Sequence, residues 1–235
     1  SGKFFISDDY LDLFASFFNL PHYFFFESNS LSLSNLQFQL NKKLTKSEVK
    51  QITAKIEITA EHFFSIVDIF EKYPLPTYKN QIFPEKSREE TIKDYAVKIK
   101  KIIGFSKNVD LISILEGYGI IYMEIADVTA KFNGLTTFIR QIPFIVVHPK
   151  SPIQQRITLI HEFGHLIGIS DEKECDEFSK AFFDHQSKET CFLKSNLFFN
   201  LVCRAYKQKL IYDNEAASFL DMSTDDFLAC FGGNQ

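Results

Sequence analysis

The run His161-Glu162-Phe163-Gly164-His165 contains two histidines four residues apart, with a glutamate directly after the first. On an α-helix, residues at this spacing share one face, with Cβ atoms about 5–6 Å apart. Both imidazoles can then reach one ion at the Zn–N distance of about 2.0–2.1 Å. Glu162 lies too close to His161 to be a natural third ligand. We expect it to be the general base that takes a proton from water activated by the metal.

A third protein ligand is expected, because catalytic zinc keeps three protein ligands and one open position. Two neighbouring residues compete for this place. Asp171 follows Gly168 at the spacing of the metzincin pattern, with aspartate in place of the third histidine of that pattern. Glu172 would instead come from the first turn of a second helix and face back toward His165. In that arrangement Asp176, one turn later, could accept a hydrogen bond from a ligating histidine.

Capping signals place the motif on a well-bounded helix. Ser151 is a suitable N-cap, Pro152 suits the first helical position, and Gln154 is the third residue after the cap. Gly168 is a suitable stop, and either Ser170 or Asp171 could cap a following helix. The residues expected to form the buried stripe of the motif helix recur at helical spacing: Ile153, Ile157, Ile160, Gly164 and Ile167.

Three strands are predicted before the motif, over residues 119–125, 132–139 and 143–148. The segment Gln155-Arg156-Ile157-Thr158-Leu159-Ile160 then leads into the motif, and Glu172-x-x-Cys175-Asp176-x-Phe178-Ser179 follows it. This order of elements and motifs resembles the ImmA/IrrE family of metallopeptidases over roughly residues 105–235. The chain departs from the family in the short insert between His165 and Glu172, and in having Asp184-His185 where "mP" is common.

The resemblance implies a zincin-like α+β fold that is mainly helical, with a small, mostly antiparallel three-stranded sheet. It also implies His161, His165 and Glu172 as metal ligands, Glu162 as catalytic base and Asp176 as an outer hydrogen-bond partner. The implied cofactor is Zn²⁺, with another divalent metal such as Mn²⁺ as an alternative. The implied activity is that of an endopeptidase that cleaves a helix-turn-helix transcriptional repressor, or its own DNA-binding region, in a stress or phage-related response.

Two parts are predicted along the chain: a helical segment over residues 1–84 and the peptidase-like domain with a helical tail over residues 85–235. Residues 7–21 resemble the last helix of an Xre-type helix-turn-helix domain. The capping box of Thr45 and Glu48 predicts a long helix to about Tyr73. Further helices are expected to begin at Ser87 and Asn108, and the pair Ser223 and Asp226 is expected to cap a last short helix.

Composition limits the partners. The net charge of the 235 residues is −4, so we expect no DNA binding by this chain alone. No apolar run reaches about 18 residues and no signal-peptide pattern is present, which predicts a cytoplasmic protein that does not enter a membrane. The four cysteines show no CxxC spacing, so reduced thiols are expected. Oligomeric state is not predicted.

The sequence does not identify the group that stabilises the oxyanion of the reaction, and it defines the substrate-binding surface only roughly. Candidate oxyanion donors are Tyr122, Arg140, His148 and His185. An exposed strand from residues 132–148 is expected to bind substrate by β-augmentation. Two alternative functions remain: a non-proteolytic sensor module of a transcription factor with a metal-binding or ligand-binding zincin pocket, and a metzincin-like peptidase that uses Asp171.

Overall fold

The structure is a computed structural model that describes residues 34–38, 44–70, 75, 77–78, 80–106, 110–183 and 197–231. All of them belong to the compact unit Ser32–Gln235, whereas a separate unit, Ser1–Leu31, lies outside the described residues. The predicted helix at residues 7–21 therefore lies outside them, as do Asn108 and His185. The division at residue 84 stays a prediction.

Helices surround one small sheet, so the predicted α+β, mainly helical class is confirmed. The helices are α1 (Lys46–Ile69), α2 (Ile92–Ile102), α3 (Leu111–Gly117), α4 (Pro152–Leu166), α5 (Glu172–Phe182), α6 (Leu197–Lys207), α7 (Asp213–Phe219) and α8 (Thr224–Phe231). A short 3₁₀ turn covers Asn80–Ile82. The strands are β1 (Ser34–Phe38), β2 (Ile121–Glu124), β3 (Gly134–Ile139) and β4 (Ile142–Val147). Among the described residues, no helix is both long enough and apolar enough to cross a membrane.

The sheet has the strand order β1-β3-β4-β2. Strands β1 and β3 pair antiparallel, as do β3 and β4, whereas β2 pairs parallel to β4. The three predicted strands are present, and β1 is an additional strand that the sequence pattern did not predict. The expected exposed strand within residues 132–148 is wrong, because β3 and β4 each have a paired strand on both sides.

Several helix ends differ from the predictions. Helix α1 has both capping-box bonds between Thr45 and Glu48, of 3.2 and 2.6 Å, and it ends at Ile69 instead of near Tyr73. Helix α2 begins at Ile92 because Thr91 accepts from the Asp94 amide. The predicted start at Ser87 is wrong.

Helices α3 and α8 also begin at side-chain caps. Asp110 caps α3 by accepting from the amides of Ile112 and Ser113, each at 3.2 Å. At α8, Ser223 Oγ accepts from the Asp226 amide at 3.1 Å. The predicted cap of the last helix is therefore confirmed.

Helix α4 carries the motif, and only its second half is buried. Ser151 caps it by accepting from the Gln154 amide at 3.4 Å, as predicted. Ile153 and Ile157 were expected in the core but are 68% and 37% exposed. The core covers α4 only from Leu159 onward, so the first two turns of the helix present apolar side chains to solvent.

A tight turn joins α4 to α5. The Ile169 amide donates to the Gly164 carbonyl at 3.0 Å and the Gly168 amide donates to the His165 carbonyl at 3.1 Å. This is a Schellman arrangement, and it requires the positive φ of 103° found at Gly168. Asp171 then caps α5 by accepting from the amides two and three residues on, at 3.0 and 2.9 Å. The first turn of α5 is thereby brought beside the histidines.

The close crossing of α4 and α5 depends on Gly164. A Cβ atom at this position would lie 3.2 Å from Cys175 Sγ and 3.3 Å from Phe178 Cδ1, both of which are buried side chains of α5. These separations are tighter than ordinary van der Waals contact. A Cβ at position 164 would force these side chains to give by a few tenths of an ångström, and a branched side chain there would overpack the crossing.

We expect Gly164→Val to lower the free energy of unfolding by about 1–3 kcal/mol, the usual cost of overpacking a core. Gly117→Val is the matched control, because a Cβ there has no heavy atom within 4 Å. The control should stay within about 0.5 kcal/mol of the wild type. Urea unfolding measures both variants, and equal stabilities would contradict the close crossing.

A buried carboxylate ties α3 to the start of α6. Glu116 is 8% exposed, and its Oε1 accepts from the Leu197 amide at 2.7 Å. Burial raises the pKa of Glu116 to about 8. The folded chain therefore holds a proton on this group at pH values where the unfolded chain has released it.

Because the folded pKa lies above the unfolded value of 4.5, the contribution of Glu116 to stability is complete below that value and is lost as pH rises toward 8. Glu116→Gln removes the titration and keeps an acceptor for Leu197. We expect the urea midpoint to fall less between pH 5 and pH 8 in this variant than in the wild type. An identical fall in both proteins would show that Glu116 is not the group that titrates.

Candidate metal centre

Three side chains from α4 and α5 converge on one point. His161 Nε2 lies 3.2 Å from His165 Nε2 and 3.2 Å from Glu172 Oε2. His165 Nε2 lies 3.5 Å from Glu172 Oε1. Two ligands of a tetrahedral zinc ion, each about 2.0–2.1 Å from the metal, are about 3.3 Å apart. The separations between these three groups therefore match those of a zinc ligand set.

The outer nitrogens of both histidines are held by acceptors. His161 Nδ1 lies 3.0 Å from Asp176 Oδ1, and His165 Nδ1 lies 2.9 Å from the Ile169 carbonyl oxygen. A carbonyl and a carboxylate can only accept, so each Nδ1 carries the hydrogen and each Nε2 presents a lone pair to the shared point. Outer partners of this kind fix the ring orientation of metal-binding histidines.

The electrostatics of this donor set suit a bound cation. Two imidazole lone pairs and a carboxylate face one another, and a positive charge between them would be favourable. Burial, and then the neighbouring His165, hold the pKa of His161 below its ordinary value, which disfavours a proton as that charge. The Glu172 side chain is 61% exposed while His161 is 3% exposed, so solvent reaches the site from the Glu172 side. These residues fit a divalent ion with an open position.

Cys175 offers a different third donor. The ligand atoms of His161, His165 and Cys175 all lie within 4.8 Å of one another. However, Cys175 Sγ is 3.4 Å from His165 Nδ1, the nitrogen that faces away from the shared point. Burial raises the pKa of Cys175, so it stays a thiol, and that thiol lies 3.5 Å from the Ile169 carbonyl. On this geometry we favour Glu172, which faces both Nε2 atoms.

Asp171, the other sequence-based candidate for the third ligand, caps helix α5. Its Oδ1 accepts from the amides of Lys173 and Glu174, which makes it the N-cap of α5. The geometry thus favours Glu172 over Asp171 as ligand. The tight turn explains the short insert between His165 and Glu172, since a Schellman turn and a cap are all that separates the two helices.

Glu162 lies beside the ligand set and is 1% exposed. Thr136 Oγ1 on β3 donates to the Glu162 carbonyl at 2.9 Å and to Glu162 Oε2 at 3.2 Å. The second oxygen, Oε1, is buried and has no hydrogen-bond partner among the described residues. Burial raises the pKa of Glu162 to about 8. A buried carboxyl group with a free oxygen and a raised pKa is suited to exchange protons with a neighbouring water.

Strand β3 can approach Glu162 because it begins with a glycine. A Cβ at Gly134 would lie 2.6 Å from Thr158 Cγ2 and 2.9 Å from the Val146 carbonyl oxygen. Any larger residue would separate β3 from α4, and with it Thr136 from Glu162. Thr136 is a site residue that the sequence motifs did not predict. The signal in the sequence is a polar residue within a predicted strand. In the structure the Thr136 side chain is buried, with 7% of its surface exposed.

The proposed oxyanion donors are held by other residues. The Tyr122 hydroxyl donates to Glu124 Oε1 at 2.6 Å, and His148 Nδ1 lies 3.1 Å from the Ile125 carbonyl oxygen. Arg140 lies at the β3–β4 turn, with its guanidinium 4.3 Å from the centre of the Phe64 ring. His185 lies outside the described residues. The contacts of the described candidates do not single out a donor.

No protein-family model matches the chain, and neither a curated protein nor a solved structure matches it. The resemblance to the ImmA/IrrE family and the zincin-like fold stay predictions.

Two neighbouring substitutions separate the ligand candidates. We expect Glu172→Ala to lose bound zinc, because it removes one of three donors. Asp171→Ala should keep zinc but lower the free energy of unfolding by about 0.5–2 kcal/mol, the usual effect of removing a helix cap. Elemental analysis after dialysis measures the metal, and urea unfolding measures the stability. Full zinc occupancy in Glu172→Ala, with loss in Asp171→Ala, would reverse the assignment.

Proposed function

We propose that this chain is a zinc-dependent endopeptidase. The observation that carries the proposal is the convergence of His161, His165 and Glu172 on one point, with the free carboxylate oxygen of Glu162 buried beside them. The first three would hold the metal. Mn²⁺ would be an alternative ion for the same donors.

Zinc bound there would supply a Lewis acid that polarises a peptide carbonyl and makes water a better nucleophile at neutral pH. Glu162 does the proton transfer. Thr136 holds one of its oxygens, which leaves Oε1 to accept a proton from water and pass it to the leaving amine. A nearby cation lowers the pKa of a carboxyl group, so metal binding would favour the ionised form that Glu162 needs as a base.

Asp176 and the Ile169 carbonyl act through the histidines. By accepting from the Nδ1 atoms of His161 and His165, they orient both rings and make the Nε2 atoms more basic. They are positioning groups and are not expected to touch substrate.

A protein substrate suits the surface of α4. Ile153 and Ile157 are exposed apolar residues, and they precede His161 at successive spacings of four, along the face that leads to the site. We propose a transcriptional repressor with a helix-turn-helix as the substrate, in the cytoplasm and in a stress or phage-related response. That choice rests on the family resemblance. The chain's own DNA-binding region is the alternative target.

The alternative of a metal-binding sensor without turnover is less well supported. Burial of a carboxyl group that lacks a partner for one oxygen is unfavourable for stability. A sensor that only holds a metal has no need of Glu162 in that position, whereas a hydrolase does. The unpartnered Oε1 therefore favours catalysis.

We expect Glu162→Gln to retain one zinc per chain and to lose cleavage of β-casein by at least about 10²-fold, because glutamine keeps the size but accepts no proton. Glu177→Gln on the exposed face of α5 is the matched control and should cleave at the wild-type rate. Elemental analysis and gel densitometry measure the two properties.

Cleavage by Glu162→Gln at the wild-type rate would contradict the role of the base. A wild-type protein that binds zinc and cleaves nothing would contradict the peptidase and support the sensor.

A further inference from the structure

Strand β1 covers the outer edge of β3, the strand that carries Thr136. The two run antiparallel, with Gln37 opposite Thr136 and Phe38 opposite Leu135. The register shifts once, between residues 34 and 37. Without β1, the backbone amides and carbonyls on this side of β3 would form an open sheet edge, which is a template for an extended peptide.

Thr136 links this edge to the proposed base. Its hydroxyl donates to Glu162, while its backbone lies opposite Gln37. Residues directly opposite in an antiparallel pair have Cα atoms only about 4.5–5.5 Å apart. Strand β1 therefore lies directly beside Thr136, and Thr136 contacts Glu162, the residue that would activate water.

We propose that residues Ser34–Phe38 occupy, in cis, the strand edge on which the proposed peptidase binds an extended peptide substrate. The inference rests on the proposed function. A peptide that adds to a sheet edge obtains its affinity from the main-chain hydrogen bonds of that edge. Each of those groups on β3 can pair with one strand at a time, so β1 and a substrate exclude each other.

Competition from the same chain is strong. A segment tethered by a short linker acts at an effective concentration on the order of millimolar, and only residues 39–44 separate β1 from the cap of α1 at Thr45. A free peptide of equal intrinsic affinity at micromolar concentration would be excluded. Substrate access would then require β1 to leave the edge.

The first test removes the pairing capacity of β1. The amides of adjacent strand residues point to opposite sides, so one of the amides of residues 37 and 38 faces β3. Gln37→Pro combined with Phe38→Pro removes both amide donors and therefore removes that one. The matched control, Gln37→Ala with Phe38→Ala, keeps both donors. Both pairs are made with Glu162→Gln, so that bound peptide is not cut. The probe is a fluorescein-labelled peptide with the sequence of residues 32–40, measured by anisotropy.

The second test locks β1 in place. Position 34 lies opposite Phe138, and the Cα separation of paired residues falls within the range of about 4.4–6.8 Å that a disulfide spans. Ser34→Cys with Phe138→Cys, also made with Glu162→Gln, is compared in the oxidised and reduced states, with bond formation checked by mass spectrometry. Each single cysteine variant is a control for the native thiols.

We expect the double-proline variant to bind the peptide at least tenfold more tightly than the double-alanine control. We expect the oxidised lock to bind less peptide than its reduced form. Equal affinities of the proline and alanine variants, with zinc content unchanged, would overturn the inference and make β1 an ordinary edge strand. Equal peptide binding by the oxidised and reduced forms of the double cysteine variant would overturn the inference as well. These readouts need no cleavage, so a failure of the peptidase proposal is seen separately, as absence of β-casein cleavage by the wild type.

Discussion

The close crossing of α4 and α5 is the constraint on which the candidate site depends. Gly164 permits it, since a side chain there would meet Cys175 and Phe178 within 3.3 Å. The Schellman turn at Gly168 and the cap at Asp171 then reverse the chain within a few residues. This geometry brings Glu172 against both histidines and Asp176 against the outer nitrogen of His161. All of these contacts would be lost if α5 moved away by the thickness of one side chain.

The electrostatics of the arrangement favour a cation. Two imidazole lone pairs and a carboxylate converge, and a second carboxyl group, Glu162, is buried next to them with one oxygen unpartnered among the described residues. Unpaired buried polar groups are rare in proteins, and where they occur they are often explained by function or by a bound ion or water. A divalent ion would offset the repulsion between the three donors. It would also stabilise the ionised form of Glu162. The residues that repel one another at this point would therefore bind the metal.

Local patterns predicted the two helices that carry the candidate ligands. The four-residue spacing of His161 and His165, and the caps at Ser151 and Asp171, depend on residues close in sequence, so the helices and their ends could be inferred directly. Burial was harder to predict. The isoleucines at 153 and 157 fit the helical stripe, but which turns of a helix the core covers depends on the position of the sheet.

Long-range pairing could not be inferred from local patterns. Strand β1 is short, and its partner lies about a hundred residues away in the sequence, so no local periodicity reveals that it closes the edge of β3. The contact of Thr136 with Glu162 likewise arises only when separate elements pack, and the bond from His165 to the Ile169 carbonyl depends on the turn that ends α4. A backbone carbonyl leaves no trace in the side-chain pattern at all.

The identity of the third ligand is the central claim, and X-ray absorption spectroscopy of the zinc-loaded protein tests it most directly. A site formed by His161, His165 and Glu172 predicts a shell of nitrogen and oxygen ligands alone, at about 2.0–2.2 Å. Two imidazoles should be visible through their outer-ring scattering. A sulfur ligand at about 2.3 Å would place Cys175 in the set and contradict the account.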